Sequence, residues 1–277
     1  MHEEDINERT EESIRKKFRK KLFSRFTKAI VEYELIQPND KIAVCISGGK
    51  DSFAMAKLFQ ELKRHNKIPF EIIFLLMDPG YNAENREKIE TNAKLLNIPL
   101  TVFETDIFES VFNIEKSPCY LCARMRRGHL YHRAKDLGCN KIALGHHYDD
   151  VIETILMGML YGGQMQTMMP KLKSDNFEGM ELIRPMYLIR EETIKAWRDY
   201  NGLEFIRCAC KFTEGAARDP SGSKRQKVKE LIRTLEKEDP GIEQNIFRSV
   251  ENVNLKTVIT YKDKEGVRHR FTDEYND

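Results

Sequence analysis

The sequence lacks several features that would assign it to a class at once. No stretch of its 277 residues approaches the ~20 apolar residues of a membrane-spanning helix, so we expect no membrane partner. The first residues, MHEEDINERTEES, are acidic and polar and do not resemble a secretory signal, which predicts a cytoplasmic protein. The net charge is only +2, so overall charge gives no argument for binding nucleic acid.

The charge is unevenly distributed along the chain, however. Eight Lys or Arg and no acidic residue occur between Arg15 and Lys28, and a second basic cluster runs from Arg124 to Lys135. Local patches of this kind bind phosphates even when the sum is near zero. Both the first cluster and the basic residues around Lys224–Lys229 are candidates for contact with RNA phosphates, with a solvated helix face as the alternative.

Hydrophobic periodicity predicts an α/β fold. Apolar residues at four-residue spacing predict one amphipathic helix over 11–35, followed by the break QPND. Short apolar runs then predict buried strands at 41–47, 70–78, 100–106, 141–147 and 181–187. Helical patterns between them lie at 52–64, 83–97, 120–137 and 149–161. This alternation is typical of a Rossmann-like, mostly parallel sheet with helices on both faces, which binds ligands at the carboxyl ends of its strands.

The order of these patterns divides the chain into three segments. Residues 1–36 form the basic helix and 37–215 the α/β domain. Residues 216–277 form a C-terminal extension with a charged helix ended by Pro240 and Gly241. Within 255–277 the pattern indicates a small hairpin with a turn near 264–266.

A glycine loop joins the first predicted strand to the next helix. Its residues are Ser47, Gly48, Gly49, Lys50, Asp51 and Ser52. Two glycines permit close backbone approach, and free N–H groups at a helix start favour an anion. The string is neither a Walker A loop nor a Rossmann fingerprint. It resembles instead the PP-loop of ATP pyrophosphatases, which implies ATP cleavage between the α and β phosphates and adenylation of a carbonyl oxygen. The resemblance implies that the loop amides, Lys50 and Ser52 hold the pyrophosphate with Mg²⁺, and Asp51 is a candidate catalytic residue.

Two other predicted strand ends carry polar residues. Asp78 ends LLMD, near the expected nucleotide. In the segment ALGHHYDD, Gly145, His146 and His147 end the predicted strand 141–147, and Asp149 and Asp150 open the next helix. PP-loop enzymes have a similar G-H-x-x-D-D element at their ATP site, which implies a Mg²⁺ ligand among the two carboxylates and a catalytic role for Asp150. Simple helix capping is the alternative for either carboxylate.

Cysteine is scarce and clustered: Cys119 and Cys122 form one close pair, and Cys208 and Cys210 another. In a cytoplasmic protein such clusters more often bind metal or act in catalysis than form disulfides. A redox couple, a Cys₄ zinc site and an iron–sulfur cluster held by three thiolates all use such pairs. The isolated Cys45 and Cys139 are expected to be structural.

The residues around the first pair resemble one family. The run from CYLCARMRRG to GHHYDD, with MMPKL and IRPM further on, is similar to the TtcA family of tRNA 2-thiocytidine synthetases and, more distantly, to the 2-thiouridine synthetases. The resemblance implies a [4Fe-4S] cluster on Cys119, Cys122 and a distant cysteine. That third ligand is Cys210 or, as the alternative, Cys208. Arg126 follows Cys122 by one helical turn and is a candidate for contact with ATP or RNA.

The resemblance implies ATP-dependent thiolation of tRNA. The C2 oxygen of an anticodon-loop pyrimidine, cytidine by this likeness, is adenylated and replaced by sulfur that passes through the cluster. The expected partners are tRNA, a sulfur donor such as a cysteine desulfurase and, as one oligomeric option, a second copy in a homodimer. Two alternatives stay open, a PP-loop enzyme that thiolates or amidates another RNA base or a small molecule, and a cluster- or zinc-binding redox sensor.

Overall fold

Six strands form the central sheet in a computed structural model that describes residues 3–65, 67–108, 118–206 and 224–275. They are β1 (Lys41–Ile46), β2 (Glu71–Asp78), β3 (Leu100–Glu104), β4 (Lys141–Ala143), β5 (Lys171–Lys173) and β6 (Glu181–Ile183). Their order across the sheet is β3-β2-β1-β4-β6-β5. Every pairing is parallel except that between β5 and β6. The predicted Rossmann-like fold with a mostly parallel sheet is therefore confirmed.

The helices alternate with these strands along the chain. In order they are α1 (Glu3–Arg15), α2 (Phe23–Glu32), α3 (Lys50–His65), α4 (Ala83–Leu95), α5 (Pro118–Asp136), α6 (Tyr148–Gly162), α7 (Glu191–Asn201), α8 (Lys224–Glu238), α9 (Ile242–Arg248) and α10 (Phe271–Tyr275). The predicted hairpin is present as β7 (Thr260–Lys262) and β8 (Arg268–Arg270). No helix of the described residues has the length and apolar character needed to cross a membrane.

The strand order creates a crevice next to β1. The chain first builds outward from β1 through β2 to β3, then returns to place β4 on the other side of β1. Val44 of β1 pairs with Phe74 of β2 on one side and with Ala143 of β4 on the other. The reversal of direction makes the carboxyl ends of β1 and β4 the topological switch point, where open α/β sheets bind ligands. The glycine loop and the GHHYDD segment both begin there.

The chain divides into two compact units. One comprises residues 1–151 and 168–222 and holds the central sheet, and the other comprises 152–167 and 223–277. In the second unit Arg225 lies 2.7 Å and Lys229 3.7 Å from Glu153, measured from side-chain nitrogen to carboxylate oxygen. Those two cations thus already face a carboxylate, which weakens the prediction that the whole run 224–229 meets RNA. The three-segment division made from the sequence stays a prediction.

The prediction of one helix over 11–35 is wrong, because α1 ends at Arg15 and α2 begins at Phe23. In the intervening turns Phe18 N donates to Ser13 O and Ser24 N to Arg19 O, five residues back instead of four. These wide turns still keep the apolar positions on one side. All five of them are buried: Ile14, Phe18, Leu22, Phe26 and Ile30.

A buried lysine attaches α1 to the sheet domain. Lys57 of α3 has a fully buried side chain, and its Nζ donates to Asn7 Oδ1 at 2.7 Å, Glu11 Oε1 at 3.0 Å and Leu96 O at 3.1 Å. Burial lowers the pKa of Lys57, and the Glu11 carboxylate only partly offsets that effect. All three donors of the ammonium group are therefore satisfied, as a buried charge requires.

Replacing Lys57 with Ala should lower the free energy of unfolding by about 3 kcal/mol, because it breaks a buried ion pair and leaves a cavity. Urea unfolding followed by fluorescence of Trp197, the single tryptophan, measures the change. Lys28→Ala is the control, since its pair with Glu32 at 3.5 Å is exposed and contributes less than about 1 kcal/mol. Equal losses in the two variants would contradict the role assigned to Lys57.

Candidate active site

The glycine loop turns sharply from β1 into α3. Gly48 has φ +85°, a left-handed conformation that side chains rarely adopt, and a Cβ there would stand 2.5 Å from Ile206 Cδ1. The Ser52 hydroxyl donates to Gly49 O at 2.9 Å and accepts from Ser47 N at 3.1 Å. The loop is thus closed by its own residues, and the amides at the start of α3 lie at the carboxyl edge of the sheet.

Charge at the loop is concentrated on Lys50. Its Nζ lies 3.0 Å from Asp51 Oδ2 and 3.0 Å from Glu191 Oε1 of α7. Burial alone would lower the pKa of Lys50, but these two carboxylates outweigh it and raise the pKa, so the ammonium group stays charged at neutral pH. The other oxygen of Asp51, Oδ1, is buried and has no hydrogen-bond partner. A bound cation would satisfy that oxygen.

The GHHYDD segment packs directly against the glycine loop. A Cβ at Gly145 would stand 3.3 Å from the backbone nitrogen of Ser52, so only glycine permits this approach without a shift. Asp150 Oδ2 accepts from His147 N at 3.0 Å, which is the reach-back contact of a helix cap. Asp149 Oδ2 accepts from the backbone nitrogen of Glu191 at 2.7 Å. Each carboxylate therefore accepts a backbone hydrogen bond at the start of a helix, Asp150 at α6 and Asp149 at α7. The capping role considered as the alternative thus accounts for part of what each does.

The end of β2 supplies a third polar group. Asp78 Oδ1 accepts from Gly80 N at 2.9 Å and Tyr81 N at 2.7 Å, and Asp78 Oδ2 accepts from Arg86. Burial would raise the pKa of Asp78, but these hydrogen bonds outweigh it and hold the pKa below its usual value. The Tyr81 hydroxyl donates to Ser47 O at 3.4 Å and also contacts Arg126. Asp78 thus shapes the turn that carries Tyr81 across the glycine loop.

These three strand ends enclose a cavity of about 360 Å³. Its lining includes seven of the predicted site residues: Ser47, Asp51, Ser52, Arg126, Gly145, His146 and Asp150. Arg127, Leu130, Met77 and Cys45 complete the wall with neighbouring backbone. Residues of β1, β2 and α5 therefore meet the segment that follows β4 at the carboxyl edge of the sheet. Five other predicted site residues do not line the cavity itself: Gly48 and Gly49 of the glycine loop, Lys50 at the start of α3, Asp78 at the end of β2 and Asp149 in α6.

The cysteines divide into two groups. Cys45 and Cys139 are buried free thiols of one apolar cluster, and burial raises the pKa of Cys45 to about 12, so it stays protonated. Their predicted structural role is consistent with this setting. Cys119 and Cys122 fall in the first turns of α5, but their side chains, like Cys210 as a whole, lie outside the described residues. The predicted cluster ligands stay a prediction.

Sequence reasoning missed the residues that hold the site together. Arg184 is buried, donates to Met169 O, and through Nε donates to His146 Nδ1 at 3.3 Å. This bond requires His146 Nδ1 to be unprotonated, so a neutral ring carries its proton on Nε2. Burial lowers the pKa of Arg184 to about 10, still charged at neutral pH. Arg184 lies in the IRPM segment, whereas Glu191 has no local signal, because only tertiary contacts bring it to Lys50.

The fold and these loops define a PP-loop protein, and comparison with known proteins agrees. Residues 15–211 match the PP-loop domain family. The tRNA-cytidine(32) 2-sulfurtransferase of Aliivibrio fischeri (strain MJ11) is 37% identical over 243 residues, which cover 86% of this chain and 76% of the relative. The enzyme of the same name from Cellvibrio japonicus (strain Ueda107) is 35% identical over 252 residues, covering 90% and 81%. The chain therefore belongs to the PP-loop family and, within it, groups with the tRNA 2-thiocytidine synthetases that its motifs resemble.

A solved structure supports the same fold. The U34-tRNA thiolase NcsA from Methanococcus maripaludis, solved with its [4Fe-4S] cluster, superimposes with a TM-score of 0.65 at 24% identity. The match covers 84% of this chain and 78% of that one. At this identity the likeness shows a shared fold.

Gly48→Ala should destabilise the protein by about 1–3 kcal/mol, because alanine is strained at positive φ and its Cβ meets Ile206. Gly49→Ala is the matched control, since a Cβ there is 3.8 Å from its nearest neighbour, Ser47 Oγ. We expect Gly49→Ala to keep the wild-type melting temperature and to weaken ATP binding, because its Cβ intrudes on the anion-binding face. Thermal unfolding with and without ATP measures both effects, and equal stability of the two variants would contradict this account of the loop.

The pKa of Asp78 predicts a pH dependence. Because its folded pKa lies below the unfolded value of about 3.9, its stabilising effect is complete above that pH and disappears as pH falls toward the folded pKa. Asp78→Asn should therefore cost about 1 kcal/mol near neutral pH, and the gap from wild type should close below about pH 4. Denaturant unfolding between pH 7 and pH 3 measures the gap, and one that widens with acid would show the opposite sign.

Proposed function

We propose that this protein is an ATP-dependent tRNA sulfurtransferase that converts a pyrimidine of the anticodon loop, cytidine by family, to its 2-thio form. The observation that supports it most directly is the meeting of the glycine loop, the GHHYDD segment and Arg126 of the cysteine-bearing helix around one cavity. The relatives named above supply the substrate class. A base in a single-stranded loop can be turned out of its stack and enter such a cavity, whereas a paired base cannot.

The glycine loop would bind the phosphates of ATP. Its amides at the start of α3 favour an anion, and Lys50 supplies a full positive charge close by. Since Lys50 also bridges Asp51 and Glu191, the β and γ phosphates would replace one of these carboxylates as its partner. The pyrophosphate leaving group carries several negative charges, so positioned donors of this kind stabilise the transition state more than the ground state.

Mg²⁺ fits this site as a partner of the nucleotide. Asp51 has an orphaned, buried carboxylate oxygen, and Asp150 lines the same cavity. Within the described ranges, no group of three or more metal-binding side chains converges on one point. Mg²⁺ is commonly held by one or two carboxylates together with substrate phosphates, so Asp51 and Asp150 would be sufficient protein ligands. Bound there, Mg²⁺ would share the charge of the phosphates.

Adenylation would begin with the C2 oxygen of the base attacking the α phosphorus, with pyrophosphate leaving. Arg126 would pair with the phosphate or with the adenylated base, a role supported by its position in the cavity wall and its contact with Tyr81. Arg184 would fix the ring of His146 in the tautomer that carries its proton on Nε2. Sulfur then adds to C2, and AMP leaves with the original C2 oxygen.

Three thiolates form a suitable donor set for a [4Fe-4S] cluster with one open iron. Cys119 and Cys122 would provide two of them and Cys210 the third, with Cys208 as the alternative. When bound, the cluster would supply the sulfur, received from a donor such as a cysteine desulfurase. Cys122 and Arg126 are one turn of α5 apart, about 6 Å along the helix axis. Because Arg126 lines the cavity, the backbone at the proposed ligand Cys122 lies close to it.

Cys119→Ala and Cys210→Ala should reduce 2-thiocytidine in tRNA to the detection limit, because each removes a proposed cluster ligand. Mass spectrometry of tRNA nucleosides from a deletion strain carrying each variant measures the product. Cys139→Ala, which removes a buried thiol of the core, is the control and should keep thiolation. Cys208→Ala should also keep it if Cys210 is the third ligand.

Wild-type thiolation by Cys119→Ala would contradict the cluster assignment. A different modified nucleoside in the strain carrying the wild-type protein would contradict the choice of cytidine. Absence of any ATP-dependent change in RNA would favour another acceptor.

A further inference from the structure

A second cavity lies beside the first, between helix α5 and the turn that joins β5 to β6. It measures about 360 Å³, and its wall includes Arg124, Arg127, Tyr131, Asn176 and Phe177. Arg127 also lines the cavity next to the glycine loop, so the two cavities share this residue in their walls. The proposed chemistry in the first cavity does not use the second.

Aromatic rings and amide groups shape one side of this second cavity. The rings of Tyr131 and Phe177 are stacked, with centroids 5.2 Å apart and planes inclined by 16°. Tyr131 is buried, and its hydroxyl is hydrogen-bonded to Ser174, whose Oγ also accepts from Phe177 N at 3.2 Å. The turn is therefore held in place, while the exposed Asn176 side chain offers both a donor and an acceptor.

The other side of the cavity is positively charged. Arg124 and Arg127 are exposed, and among the described residues neither forms an ion pair with a carboxylate. Arg127 also lies close enough to Arg184 to lower the pKa of that buried group, after burial itself. Exposed guanidinium groups are suited to bind phosphate oxygens through paired hydrogen bonds.

A glycine in the middle of α5 leaves the cavity open. Gly128 lines it, and a Cβ built there would meet no atom within 4 Å. Gly128 does not have the positive φ that would require glycine, and glycine at a mid-helix position costs about 0.5–1 kcal/mol relative to alanine. Packing against the described residues therefore does not explain this glycine, whereas close approach of a ligand to the helix would.

We propose that this cavity binds a nucleotide of the substrate RNA next to the base that enters the first cavity. Its phosphate pairs with Arg124 and Arg127, its base contacts Phe177, and Asn176 reads a base edge. An RNA satisfies both cavities at once, because consecutive nucleotides are joined and Arg127 adjoins both spaces. Pyrophosphate offers the same phosphate chemistry, but it makes no use of the aromatic side. The proposal rests on the proposed function for its RNA substrate.

The test measures the affinity of the full-length protein for a tRNA transcript without ATP, together with the KM values for tRNA and for ATP. Arg124→Gln should weaken tRNA binding by roughly tenfold and leave the KM for ATP unchanged, because it removes a phosphate contact. Phe177→Ala should weaken tRNA binding by at least roughly fivefold, because it removes a stacking surface. Arg198→Gln is the matched control, since Arg198 is already paired with Asp199 at 2.6 Å, and it should change binding by less than about twofold.

Gly128 provides a test that separates binding from folding. Gly128→Ala should match or raise the melting temperature, since alanine favours the helix. Gly128→Leu should stay folded by the same measure but weaken tRNA binding by roughly tenfold, because its side chain fills the cavity. Wild-type tRNA affinity in both Arg124→Gln and Gly128→Leu would overturn the proposal.

Inhibition by inorganic pyrophosphate shows whether the second cavity binds a free anion or a phosphate of the RNA. If Arg124→Gln weakens inhibition by inorganic pyrophosphate and leaves tRNA affinity unchanged, the cavity binds the free anion and the proposal is wrong. If the wild-type protein binds and thiolates tRNA, and the cavity variants bind tRNA equally well, the assignment of the second cavity to RNA fails and the proposed function stands. If the wild-type protein shows no affinity for tRNA, the proposed function fails as well.

Discussion

The parallel pairing of β1 with β4 is the constraint on which the site depends. These strands are almost 100 residues apart in sequence, and their register, Ile42 with Lys141 through Val44 with Ala143, brings both of their carboxyl ends to one edge. The glycine loop and the GHHYDD segment can then touch, with Gly145 against the backbone of Ser52. The proposed site needs both segments, because the glycine loop supplies amides, Lys50 and Asp51, and the GHHYDD segment supplies Asp150.

The charged side chains around the cavity pair with one another in part and still offer groups that a ligand could bind. Lys50 bridges two carboxylates, while Asp51 keeps one buried oxygen without a hydrogen bond. On the opposite wall Arg126 and Arg127 face the cavity. A nucleotide bound with a metal ion would satisfy both sets of groups. Its phosphates would pair with Lys50 and the arginines, and its metal ion would pair with the carboxylates. Arginine side chains, Arg124 and Arg127, also line the second cavity, for which the proposed ligand is RNA.

Local sequence patterns predicted most of the helices, strands and site loops, but they did not predict the contacts between these elements. The runs at 41–47 and 70–78 match β1 and β2 closely, because buried parallel strands are apolar over their whole length. The break between α1 and α2 was missed, since the apolar spacing continues through wide turns that keep the same side buried. Glu191 could not be predicted, because only the folded chain brings it to Lys50. Arg184 lies in the IRPM segment that the sequence singles out, but its contact with His146 is visible only in the folded chain. Strand β5 was missed too, since its residues Lys171–Lys173 place one leucine between two lysines and form no apolar run.

The central claim is that the protein adenylates the C2 oxygen of a pyrimidine in tRNA. Transfer of that oxygen tests it most directly. A tRNA whose target base carries ¹⁸O at C2 is incubated with cluster-loaded protein, ATP and a sulfur source under anaerobic conditions, and the AMP formed is analysed by mass spectrometry. The account predicts one ¹⁸O atom in each AMP released per thiolated base. Unlabelled AMP formed together with thiolated tRNA would contradict it, because the oxygen of the base would then have left by another route.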